Sequence, residues 1–368
     1  MTETRISYQP VSVTAPGETL ADLLDEQEMT QSELARRMGR PLKTINQIIN
    51  GKAAITAETA LQLEKIFETP ATYWLNHEAY YRADLARRRE EETYAGWHSW
   101  LDKMPLRELK KMGILSDLRN QGPNKNVLLR ELLHFFGVAS PDEWETVYGQ
   151  MRTAYRCSMP DCSDAYATAA WLRLGELQAA RQSCSRFDQI GFATALQQIR
   201  ALTVLSPELF EPQLRQACAE AGVLLVLAPA MPRARVSGAA RWLRNKPVIQ
   251  LSLYGKFNDR FWFTFFHEAC HILRHSDQLV YLDEHWDHGV LSEQEQEADF
   301  FAASWLIPAQ FEDELPSLTS RSAVFEFAAR IGIHPGIVVG RLQHDGLIDT
   351  SWMNDLKDTF SWSESADS

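Results

Sequence analysis

The feature that most constrains this chain is a pair of histidines, His267 and His271, placed four residues apart after a strongly apolar run. The run, FWFTFF at 261–266, predicts a buried helix. Residues four apart lie on one helix face, so both imidazoles can bind one metal ion. Glu268 lies beside them, within reach of a metal-bound water as general base. Burying these groups with no metal or partner would be costly, so the motif predicts a zinc site.

Such a site needs a third protein ligand, and several residues are candidates. The metzincin pattern would place a histidine at 277 and a glycine at 274, but Asp277 and Arg274 stand there, so that pattern does not apply. Asp277 itself remains a candidate. His275 continues the four-residue spacing, although it lies one helical turn further from the metal.

The segment 293–299, EQEQEAD, predicts the start of an amphipathic helix and is the best source of the missing ligand. Glu295 and Asp299 are four apart and share a face. Glu295 can complete a His₂Glu site, and Asp299 can accept a hydrogen bond from a ligand imidazole. Glu297 points elsewhere on this helix, where a solvent-facing charge is expected more than a ligand.

Two further features near the motif have less weight. His285 and His288 form an HxxH pair that could bind a second metal, but an exposed loop pair is the expected interpretation. Cys270 lies inside the motif and is expected to be a small buried residue.

Residues 30–52, TQSELARRMGRPLKTINQIINGK, carry an independent pattern of two short helices joined by a tight turn. Thr30 with a glutamate three residues later predicts a helix N-cap. Gly39 permits the turn, and Pro41 suits the first turn of the next helix. Ile45 and its neighbours Ile48 and Ile49 bury one side of that helix. This layout predicts a helix-turn-helix whose second helix enters the major groove of DNA.

The segment also has the side chains and charge that DNA contact requires. Its net charge is +4 although the whole chain carries −12, so the basic character is local. Asn and Gln can bind adenine edges, while Lys can reach guanine or phosphate. The candidate DNA-contacting residues are Gln31, Lys43, Thr44, Asn46, Gln47 and Lys52.

Cysteine use and apolar runs indicate the compartment. The five cysteines form no CxxC pair, which argues against a disulfide framework and for a reducing cytoplasm. The N-terminal MTETRISYQPVSV has no apolar signal-peptide core. Runs such as VLLVLAPAM at 223–231 are too short to span a bilayer. We therefore expect a cytoplasmic chain without a membrane partner.

The C-terminal motifs resemble the ImmA/IrrE family of metallopeptidases over about 190–350. The resemblance is carried by RVSGAARWLRNKPVIQLS, HEACHILRH, EQEADFFAASWLIP and IGIHPGIVVGRLQHDG. It implies a gluzincin-like peptidase that cleaves a regulatory protein, often a repressor. It assigns His267, His271 and Glu295 as ligands and Glu268 as the catalytic glutamate. Asp299 stands where many members have Asn.

The N-terminal segment, about 15–81, resembles the Xre-type domain of HigA-like antitoxins, from PGETLADLLDEQ through TQSELARRMGRPLKTINQIINGK to ETPATYWL. That resemblance implies a five-helix domain which binds palindromic, double-stranded DNA operators as a homodimer. A toxin is a further partner that it suggests.

Together these features predict a mainly α chain with a small β-sheet, an α+β organisation. Two β-like runs, VLLVLAPA and PVIQLS, are separated by a glycine-containing turn. The expected parts are an all-α helix-turn-helix domain at 1–81, a helical connecting segment without a site at 82–188, a metallopeptidase domain at 189–350 and a polar tail at 351–368.

The leading hypothesis is a DNA-binding transcriptional regulator with zinc-dependent endopeptidase activity, with Mn²⁺ as a possible substitute at mixed N/O ligands. The alternative is an antitoxin or autorepressor whose peptidase-like domain is a sensor or docking module without proteolysis. The complete set of His267, Glu268, His271 and Glu295 favours the enzyme.

Overall fold

A computed structural model describes residues 13–158, 164–275, 280–284 and 293–361. The chain divides into two compact units, Met1–Ser99 and Trp100–Ser368. Their architecture confirms the predicted fold class, mainly helical with one small sheet. Asp277, His285 and His288, which the sequence analysis considered as metal ligands, lie outside the described residues.

The first unit is a set of short helices around one apolar core. Its elements are α1 (Pro16–Glu26), α2 (Gln31–Met38), α3 (Leu42–Ile49), α4 (Ala57–Phe67) and most of α5 (Ala71–Leu101). The core collects one side of each helix, including Leu20, Leu34, Ile45, Leu63 and Trp74. Helix α5 continues to Leu101, across the boundary expected at residue 81, because its sequence has no glycine or proline between Ala71 and Ala95.

The second unit contains the remaining helices and a four-stranded sheet. Its elements are α6 (Leu106–Lys111), α7 (Asn124–Phe136), α8 (Pro141–Ser158), α9 (Ala165–Ala179), α10 (Gln189–Ala201), α11 (Pro207–Glu220), β1 (Leu224–Leu227), β2 (Val236–Leu243), β3 (Lys246–Leu251), α12 (Asn258–Arg274), β4 (Val280–Glu284), α13 (Glu293–Leu306), α14 (Arg321–Ile331) and α15 (Pro335–His344). Short 3₁₀ helices follow α10, α13 and α15, at Leu202–Val204, Ala309–Ser317 and Asn354–Leu356.

The sheet has the strand order β1-β3-β2-β4, with β1 parallel to β3 and the other two pairs antiparallel. Strands β1 and β3 coincide with the two predicted runs. The prediction of a glycine-containing turn between those runs is wrong, because eight of the intervening residues form β2. Their sequence, VSGAARWL, is poor in strand-forming residues. Hydrogen bonds to β3 on one side and β4 on the other specify this strand.

Helices cover both faces of the sheet, and the alternation along each strand divides the side chains between them. Ala240 and Ile249 face the apolar core that α12 shares with α10, α11, α13, α14 and α15. Arg241 and Gln250 face α9 instead. The Gln250 amide donates to the Trp171 carbonyl at 2.7 Å, and the Arg241 guanidinium reaches Glu176 at 3.2 Å.

The helix α9 belongs to the segment that we expected only to connect the two domains. It forms a structural layer on the sheet, so the 82–188 segment contributes to the fold of the second unit. The approach is close: a Cβ on Gly175 would lie 1.7 Å from Gln250 Oε1. Apolar periodicity identified this helix but could not identify the surface that it covers.

The segment 351–361 also differs from the expected polar tail. Met353, Leu356 and Phe360 are buried in the core of the second unit, and Lys357 Nζ lies 2.6 Å from Asp259 at the start of α12. Scattered apolar residues among polar neighbours were too few to indicate a packed element from sequence.

Among the described residues no single helix is long and apolar enough to cross a membrane. Helices α14 and α15 reach the required length only as a pair, which is bent by 114°.

Candidate metal centre and helix-turn-helix surface

The metal-binding candidates are placed by α12, a helix buried along almost its whole length. Phe261, Phe265 and Phe266 pack into the core of the second unit, and they hold the helix against the sheet and α13. His267 and His271 then lie on the side of α12 where α13 crosses, and Glu268 faces strand β2. All three are at most 2% exposed.

Three side chains bring their donor atoms to one point. His267 Nε2 lies 3.1 Å from Glu295 Oε2 and 3.1 Å from His271 Nε2. His271 Nε2 lies 3.5 Å from Glu295 Oε1. Two imidazole nitrogens and one carboxylate oxygen within 4.8 Å of one another form a group that could hold a metal ion. Among the described residues, it is the group of potential metal ligands found with donor atoms this close together.

The pKa shifts of Glu295 and His271 favour the protonation states that bind a cation. Burial raises the pKa of Glu295, but hydrogen bonds from His267 and His271 outweigh it and lower that pKa to about 2. Burial also lowers the pKa of His271 despite its contact with Glu295. An ionised carboxylate beside a neutral imidazole is the protonation state that metal coordination requires.

The other ring nitrogen of each histidine has its own partner. His267 Nδ1 lies 2.9 Å from Asp299 Oδ1, one turn beyond Glu295 on α13. His271 Nδ1 lies 2.9 Å from His275 Nδ1, and His275 Nε2 lies 3.0 Å from Glu297 Oε2. Glu297 therefore contacts α12 through His275 and Arg274, rather than serving as an isolated solvent-facing charge.

Glu268 lies between α12 and strand β2. A Cβ on Gly238 of β2 would be 2.5 Å from Glu268 Oε1 and 2.4 Å from Thr264 Cγ2. Only glycine therefore lets the strand pass this close to the carboxylate. The strand pairing is irregular at this position, between Val236 and Gly238. Sequence reasoning missed Gly238, because the stretch around it was interpreted as a turn rather than as a strand.

Cys270 is buried between α12 and α13, where its Sγ lies 4.0 Å from the Glu297 carbonyl oxygen, and burial raises the pKa of its thiol to about 12. A thiol in this state stays protonated near neutral pH. Its environment agrees with the expected role as a small buried residue.

The helix-turn-helix surface is built by α2 and α3. Thr30 Oγ1 accepts the Glu33 N–H at 3.2 Å, and Gly39 ends α2 with φ +63°. In a full capping box the Glu33 carboxylate would also accept the Thr30 N–H, but here that carboxylate binds Arg37. Pro41 is the N-cap of α3. Helix α1 packs tightly on the end of α3, where a Cβ on Gly17 would lie 2.3 Å from the Ile48 carbonyl oxygen.

The predicted DNA-contacting residues differ in exposure. Lys43, Asn46 and Lys52 are exposed, whereas Gln31, Thr44 and Gln47 are half-buried. The Asn46 amide reaches Gln31 Oε1 at 3.5 Å, so the two residues lie side by side.

Two neighbours of this set were not predicted. Asn50 donates to the Asn46 side chain at 3.1 Å and orients it. Leu42, at the start of α3, is 48% exposed and offers an apolar contact of the kind that thymine methyl groups make.

Comparisons with known proteins identify both regions. A family model described as helix-turn-helix matches residues 20–74. A peptidase family model described as an IrrE N-terminal-like domain matches residues 218–343. These ranges contain α2 with α3 and α12 with α13, respectively.

Proteins similar to the N-terminal region include bacterial regulators and antitoxins. An uncharacterized HTH-type transcriptional regulator of Escherichia coli, YddM, is 34% identical over 61 residues, which are 17% of this chain and 65% of that protein. The chain thus spans just under two thirds of this relative. A HigA-family addiction module antidote from Coxiella burnetii is 31% identical over 23% of this chain and 95% of its own, with a TM-score of 0.22. The Pseudomonas aeruginosa antitoxin HigA is 28% identical over 22% of this chain and 90% of its own, with a TM-score of 0.22.

The chain therefore joins an N-terminal domain of the Xre-like helix-turn-helix family to a C-terminal domain of the ImmA/IrrE metallopeptidase-like family.

Proposed function

We propose that this chain is a DNA-binding regulator whose C-terminal domain is a zinc-dependent endopeptidase acting on a regulatory protein such as a repressor. The observation that carries the proposal is the convergence of His267, His271 and Glu295 next to the buried Glu268. The donor set fits zinc, since two neutral imidazoles and one carboxylate leave a fourth position for water or substrate. Mn²⁺ is the alternative for these N/O ligands.

The chain's own residues have distinct roles in this proposal. His267, His271 and Glu295 hold the ion, and Asp299 orients His267 through Nδ1. A bound zinc ion supplies Lewis acidity toward a peptide carbonyl and lowers the pKa of water to about 7. Glu268 accepts a proton at its carboxylate and returns it to the departing amine. The apolar packing around α12 restricts bulk water on the core side of the site.

The glutamate variant Glu268→Gln tests the enzymatic part. It retains size while removing the base, so we expect bound zinc to be unchanged and cleavage to fall at least about 100-fold. Quantitative proteomics of new protein N-termini, in cells with the wild type or Glu268→Gln, identifies the substrate. Zinc content of Glu295→Ala tests the third ligand.

Equal cleavage by the wild type and Glu268→Gln would refute the mechanism. Zinc-loaded wild type that creates no Glu268-dependent N-terminus would refute proteolysis and favour a sensor or docking domain. Unchanged zinc affinity in Glu295→Ala would remove Glu295 as a ligand.

The proposed DNA partner rests on the exposed face of α3 together with the helix-turn-helix family match. In the full-length chain, Asn46→Ala should cost about 1–3 kcal/mol at the operator and relax base preference. Lys52→Ala should weaken all sequences similarly and flatten the salt dependence. Anisotropy titrations at two salt concentrations on the protein's own promoter region measure both effects. Binding by Asn46→Ala and by a Gln47→Ala variant that equals the wild type would refute this assignment.

A further inference from the structure

We infer that His275 and Glu297 are positioning residues that hold the proton of His271 on Nδ1 when a metal is bound, and so direct His271 Nε2 toward the metal. The inference rests on the proposed metal site and adds two residues to it. His275 is the C-cap of α12, one turn beyond His271, and Glu297 lies on α13 between Glu295 and Asp299.

The contacts form a continuous chain from the surface to the donor atoms. Arg274 Nη1 binds Glu297 Oε1, and Glu297 Oε2 lies 3.0 Å from His275 Nε2. His275 Nδ1 then lies 2.9 Å from His271 Nδ1. The His275 side chain is only 6% exposed, so water has little access to these contacts. The helix end is itself held, since Gln189 donates to the Leu273 carbonyl at 2.7 Å.

A metal ion on His271 Nε2 would fix the arrangement of protons along this chain, because neutral His271 then carries its proton on Nδ1. A carboxylate only accepts, so His275 Nε2 must carry a proton for Glu297. Neutral His275 then has a bare Nδ1, which accepts the Nδ1 proton of His271. The His271 Nε2 lone pair is left for the metal, next to the donor atoms of Glu295 and His267.

The reverse arrangement fails at two places. If His275 Nδ1 donated to His271, neutral His275 would present a lone pair to the Glu297 carboxylate. Neutral His271 would then carry its proton on Nε2, where the metal must bind. Glu297 therefore selects, across His275, the tautomer of His271 that can coordinate.

The two ligand histidines are thus oriented by different means. Asp299 accepts directly from His267 Nδ1, whereas His271 is oriented through a second imidazole. Sequence reasoning noted the His271–His275 spacing, but it considered His275 only as a more distant ligand.

The test uses full-length His275→Phe, which keeps a ring but removes both nitrogens, and Glu297→Gln, which keeps size but removes the charge. Glu293→Gln is the matched control, because it makes the same change at an exposed position of the same helix. Zinc affinity is measured by chelator competition. The tautomer of His275 is measured in the zinc-loaded protein from side-chain ¹⁵N shifts. Circular dichroism establishes that each variant is folded.

We expect His275→Phe to weaken zinc binding about 10–100-fold, Glu297→Gln to weaken it less, and Glu293→Gln to match the wild type. In the zinc-loaded wild type His275 should carry its proton on Nε2, and Glu297→Gln should reduce the population of that tautomer. If His275→Phe does not fold, Glu297→Gln decides by the same two measurements.

Two failures are distinguishable. If the wild type binds zinc but Glu297→Gln equals Glu293→Gln in zinc affinity and in the His275 tautomer, only the positioning role of His275 and Glu297 is overturned. A wild type without measurable zinc affinity overturns the proposed metal site, on which the positioning role of His275 and Glu297 depends.

Discussion

Gly238 offers the sharpest test of how the fold positions Glu268. In Gly238→Ala, the new Cβ would lie 2.4 Å from Thr264 Cγ2 and 2.5 Å from Glu268 Oε1. Nonbonded carbons prefer about 3.5–4.0 Å, so the neighbours must move by roughly 1 Å. The Glu268 carboxylate can rotate, whereas Thr264 is attached to a buried helix. The substitution should therefore displace the proposed base from its position.

The expected cost in stability is about 1–3 kcal/mol, the usual range for overpacking. For a domain of this size that corresponds to a fall in Tm of about 2–12 °C. Thermal unfolding by circular dichroism measures it, and cleavage of the substrate identified with Glu268→Gln measures the displacement. Ser237→Ala is the control, since it places alanine at the adjacent buried position without adding an atom.

A double variant separates the two contacts. Gly238→Ala with Thr264→Ser removes the Cγ2 clash but retains the contact with Glu268. Stability should partly return relative to Gly238→Ala, while cleavage should stay low. If Gly238→Ala matches Ser237→Ala in Tm and in cleavage, the close approach of β2 does not position Glu268, and the reasoning is refuted.

Three further predictions concern other parts of the chain. In the first unit, Gly17→Ala would place a Cβ 2.3 and 2.4 Å from the carbonyl oxygens of Ile48 and Ile49. We therefore expect the free energy of unfolding, measured with denaturant, to fall by about 3 kcal/mol. The control Gly96→Ala, whose Cβ meets nothing within 4 Å, should be neutral or stabilising. Lys357→Met leaves the side chain of Asp259, 11% exposed, without its cation and should cost about 3 kcal/mol, whereas a value near zero would mean that the C-terminal segment is held by its apolar residues alone. The pKa of Glu295 is depressed to about 2 from its ordinary 4.5, so the metal-free protein should lose the corresponding stability as the pH falls from about 4.5 toward 2; Glu295→Gln should remove that part of the pH dependence, and an unchanged acid-unfolding curve would contradict it.

The local features of both domains could be predicted because they depend on neighbours within one helix or turn. The four-residue spacing of His267 and His271 places both on one face of any α-helix. The Thr30 cap and the left-handed Gly39 follow from backbone chemistry at helix ends. Glu295 and Asp299 were paired for the same reason, and the structure brings both to His267.

The remaining features depended on contacts between distant segments. Strand β2 has weak strand propensity and forms because β3 and β4 pair with it. The sequence of α9 shows an apolar face, but not that Gly175 and Trp171 meet Gln250 on the sheet. Phe360 is one aromatic residue in a polar stretch until α11 and α12 provide Phe210 and Phe261 to pack against it.

The sequence by itself determined the helix faces, the caps and the set of donor atoms available for a metal, since these depend on residue type and on spacing along one element. Only the tertiary structure decided how those atoms are used. Glu297 contacts His275, although its side chain remains 42% exposed, because α13 crosses α12 at one particular register. Gly238 borders Glu268 because β2 packs against that same helix. Side chains tens of residues apart meet only when packing fixes the geometry between whole elements, and no local propensity encodes that geometry.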